Sequence, residues 1–184
     1  MKKTITVLAL ASMLIAALGF AVLGATPVKG GTLKVAATSI QQLGLYKSAS
    51  NDENDAVSLI FDSLFVIGKE NFQPIPHLAE SWENPDPLTW VFHIRKGAMF
   101  HDDNVVFPKG KSREVTADDV VYSINRMIKL STSFVLGPVT SVKALDRYTV
   151  EIKTETPQPF LVNDSNRLAR MAVVPKEAIE KLGE

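Results

Sequence analysis

Two short groups of residues in this chain carry side chains that could take part in chemistry. One is a histidine followed by two carboxylates, and the other, further along the chain, is an acidic pair. The first group is His101-Asp102-Asp103, which offers metal-ligand donors, and the second is Asp118-Asp119. A metal site needs several ligands that converge from different elements, whereas adjacent carboxylates in a turn usually accept backbone hydrogen bonds. We therefore predict a solvated loop at residues 101–103. Metal capture by these three residues stays open as an alternative.

The pair Asp118-Asp119 has a simpler interpretation than catalysis. Thr116 can cap a helix, and Asp119, three positions on, completes a variant of the capping box and favours the positive end of the helix. The sequence contains no Gly-x-Ser-x-Gly, no His-Glu-x-x-His and no phosphate loop. The sequence therefore predicts no enzyme, no catalytic residue and no cofactor.

Charge and cysteine usage exclude further classes of protein. The 184 residues carry 20 basic and 20 acidic side chains, so no basic surface indicates binding to nucleic acid. The chain has no cysteine, which excludes disulfides, thiolate metal sites and a cysteine nucleophile. A lipid-modified leader also needs a cysteine at its cleavage point, so a lipoprotein is excluded as well.

The N-terminus has the pattern of an export signal. Lys2 and Lys3 precede an uncharged, largely apolar run from Ile5 to Leu23, which ends in small residues before a polar segment begins at Thr26-Pro27. We predict a cleaved signal peptide over residues 1–25. The alternative is an uncleaved membrane anchor, because the run is just long enough to span a bilayer. Both interpretations place the rest of the chain outside the cytoplasm.

Two β-hairpins are predicted in the middle of the chain. In the first, the run 88–95 alternates, with Trp90, Phe92 and Ile94 on one face, and it pairs with 78–83 across a proline-rich turn. Trp82 is expected to lie across from this aromatic face. The second hairpin covers 142–153, with a turn at Asp146-Arg147. Its expected buried residues are Tyr148, Val150 and Ile152.

Helices and a further strand are predicted on either side of the hairpins. Apolar residues at helical spacing predict a helix from Ala56 to about Phe65 and another from Thr116, the latter with a stripe that includes Val120, Ile124 and Met127. A short helix is expected through Phe160 and Leu161. The run 171–174 is expected to be a strand, and Pro175 to start a helix that stops at Gly183.

Taken together in their order, these segments resemble one family. The chain is similar to the N-terminal part of the extracytoplasmic solute-binding proteins that serve peptide, nickel and oligosaccharide importers of the ATP-binding-cassette (ABC) type, family 5. The segments that carry the resemblance are Gly30-Gly31-Thr32-Leu33, Leu78–Glu83, Phe92–Gly97, Phe100-His101-Asp102, Thr116–Ser123 and Val173 with Pro175-Lys176. Two features depart from the family: Asp103 replaces a glycine, and residues 104–114 lengthen the loop.

The resemblance implies a mixed α/β fold that is part of a two-lobed, type II clamp like that of periplasmic binding proteins. Residues 26–55 would start the first lobe, residues 56–156 would form a small accessory β-rich subdomain, and residues 157–184 would return to the first lobe. Because such clamps are much longer than this chain, it is expected to be an incomplete version of one.

The resemblance also implies a function. We expect extracytoplasmic binding of a peptide or oligosaccharide and its delivery to ABC permease subunits in the membrane. In such clamps the loop after the first strand often lines the ligand cleft, which here means Thr38, Ser39, Ile40 and Gln41. The alternatives are a membrane-tethered interaction module and a protein that binds nickel or another metal complex.

Overall fold

The computed structural model of the chain describes residues 30–32, 34, 57–102, 105–130, 137–163 and 172–183. The chain divides into two units, Met1–Ala36 and Ala37–Glu184, and all the elements below belong to the second. The predicted leader and the predicted ligand residues 38–41 lie outside the described residues. Within the described part of the chain, no helix is both long and apolar enough to cross a membrane.

The described elements form two antiparallel sheets and two helices, which confirms the predicted mixed α/β class. A small sheet pairs β1 with β2, and a larger sheet has the strand order β3-β4-β6-β5. The elements are β1 Phe65–Ile67, β2 Pro74–Pro76, β3 Ala79–Asp86, β4 Thr89–Ile94, α1 Ala117–Lys129, β5 Val139–Asp146, β6 Thr149–Thr154 and α2 Lys176–Leu182.

The first predicted hairpin is confirmed as β3 and β4. Trp90, Phe92 and Ile94 are all buried, as the alternation predicts, and Trp82 lies directly opposite Phe92. The Trp82 ring also packs against Phe65 of the small sheet, with ring centroids 5.6 Å apart. The aromatic face of this hairpin therefore joins the two sheets.

The turn of this hairpin is shorter than predicted. Strand β3 continues to Asp86, so the turn lies at residues 87–88 instead of beginning at Asn84. The Asn84 side-chain amide donates hydrogen bonds to the backbone oxygens of Asp86 and Thr89, each at 2.7 Å. These bonds close the end of the hairpin, where the strand register shifts.

The second predicted hairpin is confirmed as β5 and β6, with one correction to its buried face. Val150 and Ile152 are buried as expected. Tyr148 is only half-buried because it lies in the turn, where its hydroxyl donates to Glu114. Thr154 supplies the third buried residue of the strand instead.

Helix α1 begins where its capping signal predicts. Asp119 Oδ2 accepts a hydrogen bond from the Thr116 backbone N–H at 2.9 Å, and the Ala117 N–H donates to the Arg147 carbonyl oxygen in the turn between β5 and β6. The apolar stripe is confirmed, since Val120, Ile124 and Met127 are buried. The helix packs against β5 and β6.

The predicted helix from Ala56 to Phe65 is wrong over most of its length. Among its described residues only 57–58 are helical, a turn follows, and Phe65 begins strand β1. The Leu64 carbonyl oxygen accepts hydrogen bonds from the N–H groups of His77 and Ala79, at 3.2 and 2.8 Å. Partners distant in sequence therefore draw this segment into extended pairing, and tertiary context overrides its helical spacing.

Two further predictions near the C-terminus need correction. The expected helix through Phe160 and Leu161 is a series of turns, in which the Leu161 N–H donates to the Gln158 oxygen at 3.1 Å. The expected strand at 171–174 is not paired in a sheet over its described residues 172–174. Its Val173 N–H instead makes one backbone bond, to the Asp62 oxygen at 2.9 Å. The apolar character of residues 172–174 correctly indicated that they are buried, but it did not determine whether they pair in a sheet.

The end of the chain follows the prediction. Pro175 precedes α2, and Gly183 ends it with a φ of 79°, which a glycine adopts without steric cost.

The core lies between α1 and the inner strands of the larger sheet. Phe92 on β4 and Val150 on β6 are fully buried, and Val120 and Ile124 of α1 belong to the same cluster. Because β4 and β6 are the two inner strands, their alternating apolar residues supply the centre of this cluster.

We predict that Phe92→Ala lowers the free energy of unfolding by about 3–5 kcal/mol, because it removes a buried ring and leaves a cavity. Phe160→Ala is the matched control: the Phe160 side chain is 68% exposed while Phe92 is 0% exposed. The control is expected to change stability by less than about 0.5 kcal/mol. Urea denaturation followed by tryptophan fluorescence measures both, and equal losses would contradict the core assignment.

Candidate functional site

Among the described residues, two acidic side chains bind the same arginine. Arg113 donates from Nε and Nη2 to the two carboxylate oxygens of Glu177, both at 2.7 Å. It also donates from Nη1 and Nη2 to the two carboxylate oxygens of Asp119, at 2.8 and 2.6 Å. Two-pronged contacts of this kind fix the planar guanidinium and are among the strongest polar interactions in proteins. We call Arg113, Asp119 and Glu177 the Arg113 cluster.

The Arg113 cluster runs from buried protein to the surface. The Asp119 side chain is 4% exposed, whereas those of Arg113 and Glu177 are 35% and 45% exposed. The Arg113 guanidinium lies 5.1 Å from the centre of the Phe100 ring and 5.9 Å from that of Phe107. These two rings stack on one another, so they hold the guanidinium in place and shield it from water.

The charges of the cluster support one another. Hydrogen bonds from Arg113 lower the pKa of the Glu177 carboxyl below its ordinary value. Those same bonds, to Asp119 first and to Glu177 second, raise the pKa of the Arg113 guanidinium. The buried Asp119 carboxylate therefore lies beside a compensating positive charge.

Sequence reasoning found only one of the three residues of this cluster. It identified Asp119 through its helix-capping spacing from Thr116, but it assigned no role to Arg113 or Glu177. Arg113 and Glu177 are 64 positions apart, and no local pattern joins residues at such a separation. The spacing of Asp119 from Thr116 was the one local signal within the cluster, and it does not specify a cationic partner.

A second carboxylate, Glu114, ties the same loop to the hairpins. It accepts hydrogen bonds from the Gly97 backbone N–H at 2.5 Å, the Tyr148 hydroxyl at 2.7 Å and the Arg147 guanidinium at 3.2 Å. These bonds, the one from Gly97 first, lower the pKa of the Glu114 carboxyl. Adjacent residues Arg113 and Glu114 therefore anchor the loop to the helices on one side and to the hairpin turn on the other.

Asp102 closes the lengthened loop. Its carboxylate accepts hydrogen bonds from the backbone N–H groups of Gly110 and Ser112, at 2.8 and 3.2 Å. The bond from Gly110 is the first cause of a lowered pKa of the Asp102 carboxyl. The structure thus confirms for Asp102 the predicted capping of backbone amides, while Asp103 lies outside the described residues. Among the residues that the structure describes, no three histidine or acidic side chains converge as metal ligands.

A largely apolar cavity of about 340 Å³ lies beside the Arg113 cluster. Phe100 and Phe107 form one wall of it, and Ala178 and Leu182 of α2 form another. Its polar lining includes Asp62 and His101. The two phenylalanines thus contact both the cavity and the guanidinium, so the cluster positions one wall of the cavity.

None of the four residues predicted to contact a ligand can be placed beside these features. Thr38, Ser39, Ile40 and Gln41 all lie outside the described residues, and their role stays a prediction. The described residues therefore show the scaffold of the chain and not the predicted ligand cleft.

Comparison with known proteins links this scaffold to one family. The sequence model for the middle region of bacterial extracellular solute-binding proteins, family 5, matches residues 73–183. That range contains both hairpins, α1 and every member of the Arg113 cluster.

The periplasmic oligopeptide-binding protein OppA of Escherichia coli (strain K12) is 31% identical over 172 residues. The alignment covers 80% of this chain and 29% of OppA, so the chain spans less than a third of this relative.

Solved structures show the same likeness. The ABC transporter-associated periplasmic binding protein DppA of Helicobacter pylori, in complex with the peptide STSA, superposes with a TM-score of 0.62 at 25% identity. The match covers 74% of this chain and 29% of DppA. MoaA of A. tumefaciens R10, in complex with mannopinic acid, superposes with a TM-score of 0.56 at 26% identity, over 74% of this chain and 27% of MoaA. These neighbours confirm the predicted fold as part of a type II periplasmic binding protein.

We predict that Arg113→Met destabilises the protein by about 1–3 kcal/mol, because it leaves the buried Asp119 carboxylate without its ionic partner. Arg147→Met is the matched control. Its guanidinium is 62% exposed and pairs with Glu114 at 3.2 Å, and an exposed pair contributes little to stability. Chemical denaturation at pH 7 compares the two variants. A loss for Arg113→Met no larger than that for Arg147→Met would show that the cluster is not a structural brace.

Proposed function

Because the chain belongs to the bacterial extracellular solute-binding proteins of family 5, we propose that it serves in extracytoplasmic binding of a peptide or oligosaccharide for delivery to an ABC-type membrane importer. The observation that carries this proposal is the family match over residues 73–183. The family consists of substrate-binding proteins and not of enzymes, which agrees with the sequence-based prediction of no catalytic residue.

A peptide is the ligand class with the most support. OppA is an oligopeptide-binding protein by name, and the DppA structure holds the peptide STSA. The MoaA complex with mannopinic acid supports keeping other ligand classes in the test, because a similar fold holds a ligand that is not a peptide.

The proposed mechanism is a shift of population on ligand binding, without bond chemistry. In a hinged clamp, the ligand stabilises the closed arrangement because it makes contacts there that the open arrangement lacks. We propose that Thr38, Ser39, Ile40 and Gln41 provide such contacts, since three of the four offer polar side chains for a ligand's hydrogen-bonding groups. The Arg113 cluster would keep the described scaffold rigid during this shift.

We propose the following division of the chain. Residues 1–25 are a signal peptide, residues 26–55 start the first lobe, residues 56–156 are an accessory subdomain, and residues 157–184 return to the first lobe. The larger sheet, which runs from Ala79 to Thr154, falls within the second of these three mature segments. Helix α2 falls within the last.

The proposed location is the extracytoplasmic compartment, without a lipid anchor. The relatives OppA and DppA are periplasmic by name. The charged start and apolar run of residues 1–25 support export of this chain, and its lack of cysteine argues against lipid attachment.

We predict saturable heat when the protein, or any longer product of the same gene, is titrated calorimetrically with a pool of short peptides. Gln41→Ala is expected to weaken binding by about 2–10-fold, because it removes one hydrogen bond of about 0.5–1.5 kcal/mol to the ligand. Gln73→Ala is the control, since Gln73 is an exposed residue just before β2.

Parallel titrations with an oligosaccharide pool and with nickel ions discriminate the other ligand classes. Heat from nickel that is lost in His101→Ala would support the metal alternative. A folded protein that gives no heat with any of the three would contradict the transport function.

We predict that the mature protein has lost about 21–25 residues from its N-terminus, because small residues that suit cleavage follow the apolar run. Intact-mass measurement of protein recovered from the extracytoplasmic fraction gives the cleavage point directly. A full-length mass in the membrane fraction would instead favour the tethered interaction module.

A further inference from the structure

The cavity beside α2 has no role in the proposed function. Its volume of about 340 Å³ lies within the range of about 300–1,000 Å³ that is typical of sites for small molecules. Most of its lining is apolar, and stacked rings of Phe100 and Phe107, with centroids 5.9 Å apart, form an aromatic wall.

The cation next to the aromatic wall of the cavity is already paired. Arg113, next to the aromatic wall, is bonded to both Asp119 and Glu177. Asp62 in the lining lies 3.7 Å from His77. An anionic ligand at the aromatic wall would have to compete with Asp119 and Glu177 for Arg113, whereas an uncharged ligand would leave these bonds intact.

Helix α2 forms one wall of the cavity and is held mainly by polar contacts. None of its residues is buried. Arg113 donates hydrogen bonds to Glu177 in the first turn of the helix, and the Lys181 ammonium in its last turn donates to the Val105 carbonyl oxygen. Ala178, between these two anchors, and Leu182, just after the second, line the cavity. Helix α2 is therefore held near both of its ends, but its side chains do not fill the cavity that they line.

We propose that this cavity is a binding site for a small, uncharged, apolar molecule with one or two rings. A cavity of about 150 Å³ holds a benzene ring, and this larger pocket, which is open to solvent along Ile60, Met99 and Leu182, has room for a fused pair. Aromatic rings favour the stacking wall of Phe100 and Phe107. The residues named here as its lining are different from the proposed ligand residues 38–41.

The probe for this site is N-phenyl-1-naphthylamine, an uncharged two-ring dye whose fluorescence rises in apolar surroundings. The wild-type chain is expected to bind it saturably with one site per chain. Ala178→Leu is expected to weaken binding by about tenfold, because the added carbons occupy the space of the dye. Ala144→Leu makes the same change on the exposed part of β5 and is expected to leave binding unchanged.

A second filling variant, Ala98→Leu, changes a lining residue on another element, so the result does not depend on one variant that fails to fold. Circular dichroism melts confirm that each variant is folded before it is titrated. Equal binding by all variants would show that the dye adheres to exposed apolar residues and would overturn the proposal. Absence of saturable binding by the folded wild type would overturn it too.

Sedimentation at several protein concentrations tests whether a second copy of the chain occupies the cavity. A dimer that Ala178→Leu disrupts would assign the cavity to an interface between copies and would overturn the small-molecule site. Peptide titration of Ala178→Leu separates this proposal from the proposed function. Unchanged peptide binding with lost dye binding is the expected result.

Discussion

The described scaffold depends on one interaction, the double ion pair that the Arg113 guanidinium makes with Asp119 and Glu177. Asp119 caps helix α1, but the same carboxylate is buried, and a buried charge is stable only with a partner and satisfied hydrogen bonds. Arg113 supplies that partner and at the same time grips Glu177 of α2. One side chain therefore fixes the start of one helix, the position of another and the end of the loop between Asp102 and Arg113. The position of the cavity wall follows from these contacts.

The hairpins are the second constraint, and they act through burial. Phe92 and Val150 come from the two inner strands and meet the apolar stripe of α1, while Glu114 and Tyr148 connect the hairpin turn to the loop. A solute-binding protein that works by a hinge needs parts that move as rigid bodies, since ligand contacts cannot shift a population between arrangements that are themselves poorly defined. In this chain the dense core and the Arg113 cluster hold the described hairpins and helices together.

The elements that were predicted correctly are those whose signals are local. Alternation over residues 89–94 and the spacing of Thr116 and Asp119 each specify an element within a few residues. The helix predicted from Ala56 to Phe65 was wrong because its helical spacing is short. The backbone hydrogen bonds that Leu64 accepts from His77 and Ala79 take precedence. Residues 172–174 are buried as their apolar character suggests, yet no strand lies beside them in the described structure, and a lone extended segment is not a sheet.

The sequence by itself determined the family, the α/β class, both hairpins and the cap of α1, because each depends on residues close together in the chain or on their order. Only the tertiary structure decided that Arg113 meets Glu177, and that Phe100 and Phe107 stack where they face both the guanidinium and the cavity. Arg113 and Glu177 are 64 positions apart. At such separations a sequence fixes which charges exist but not which of them meet, since the pairing is set by how the sheet and the helices pack.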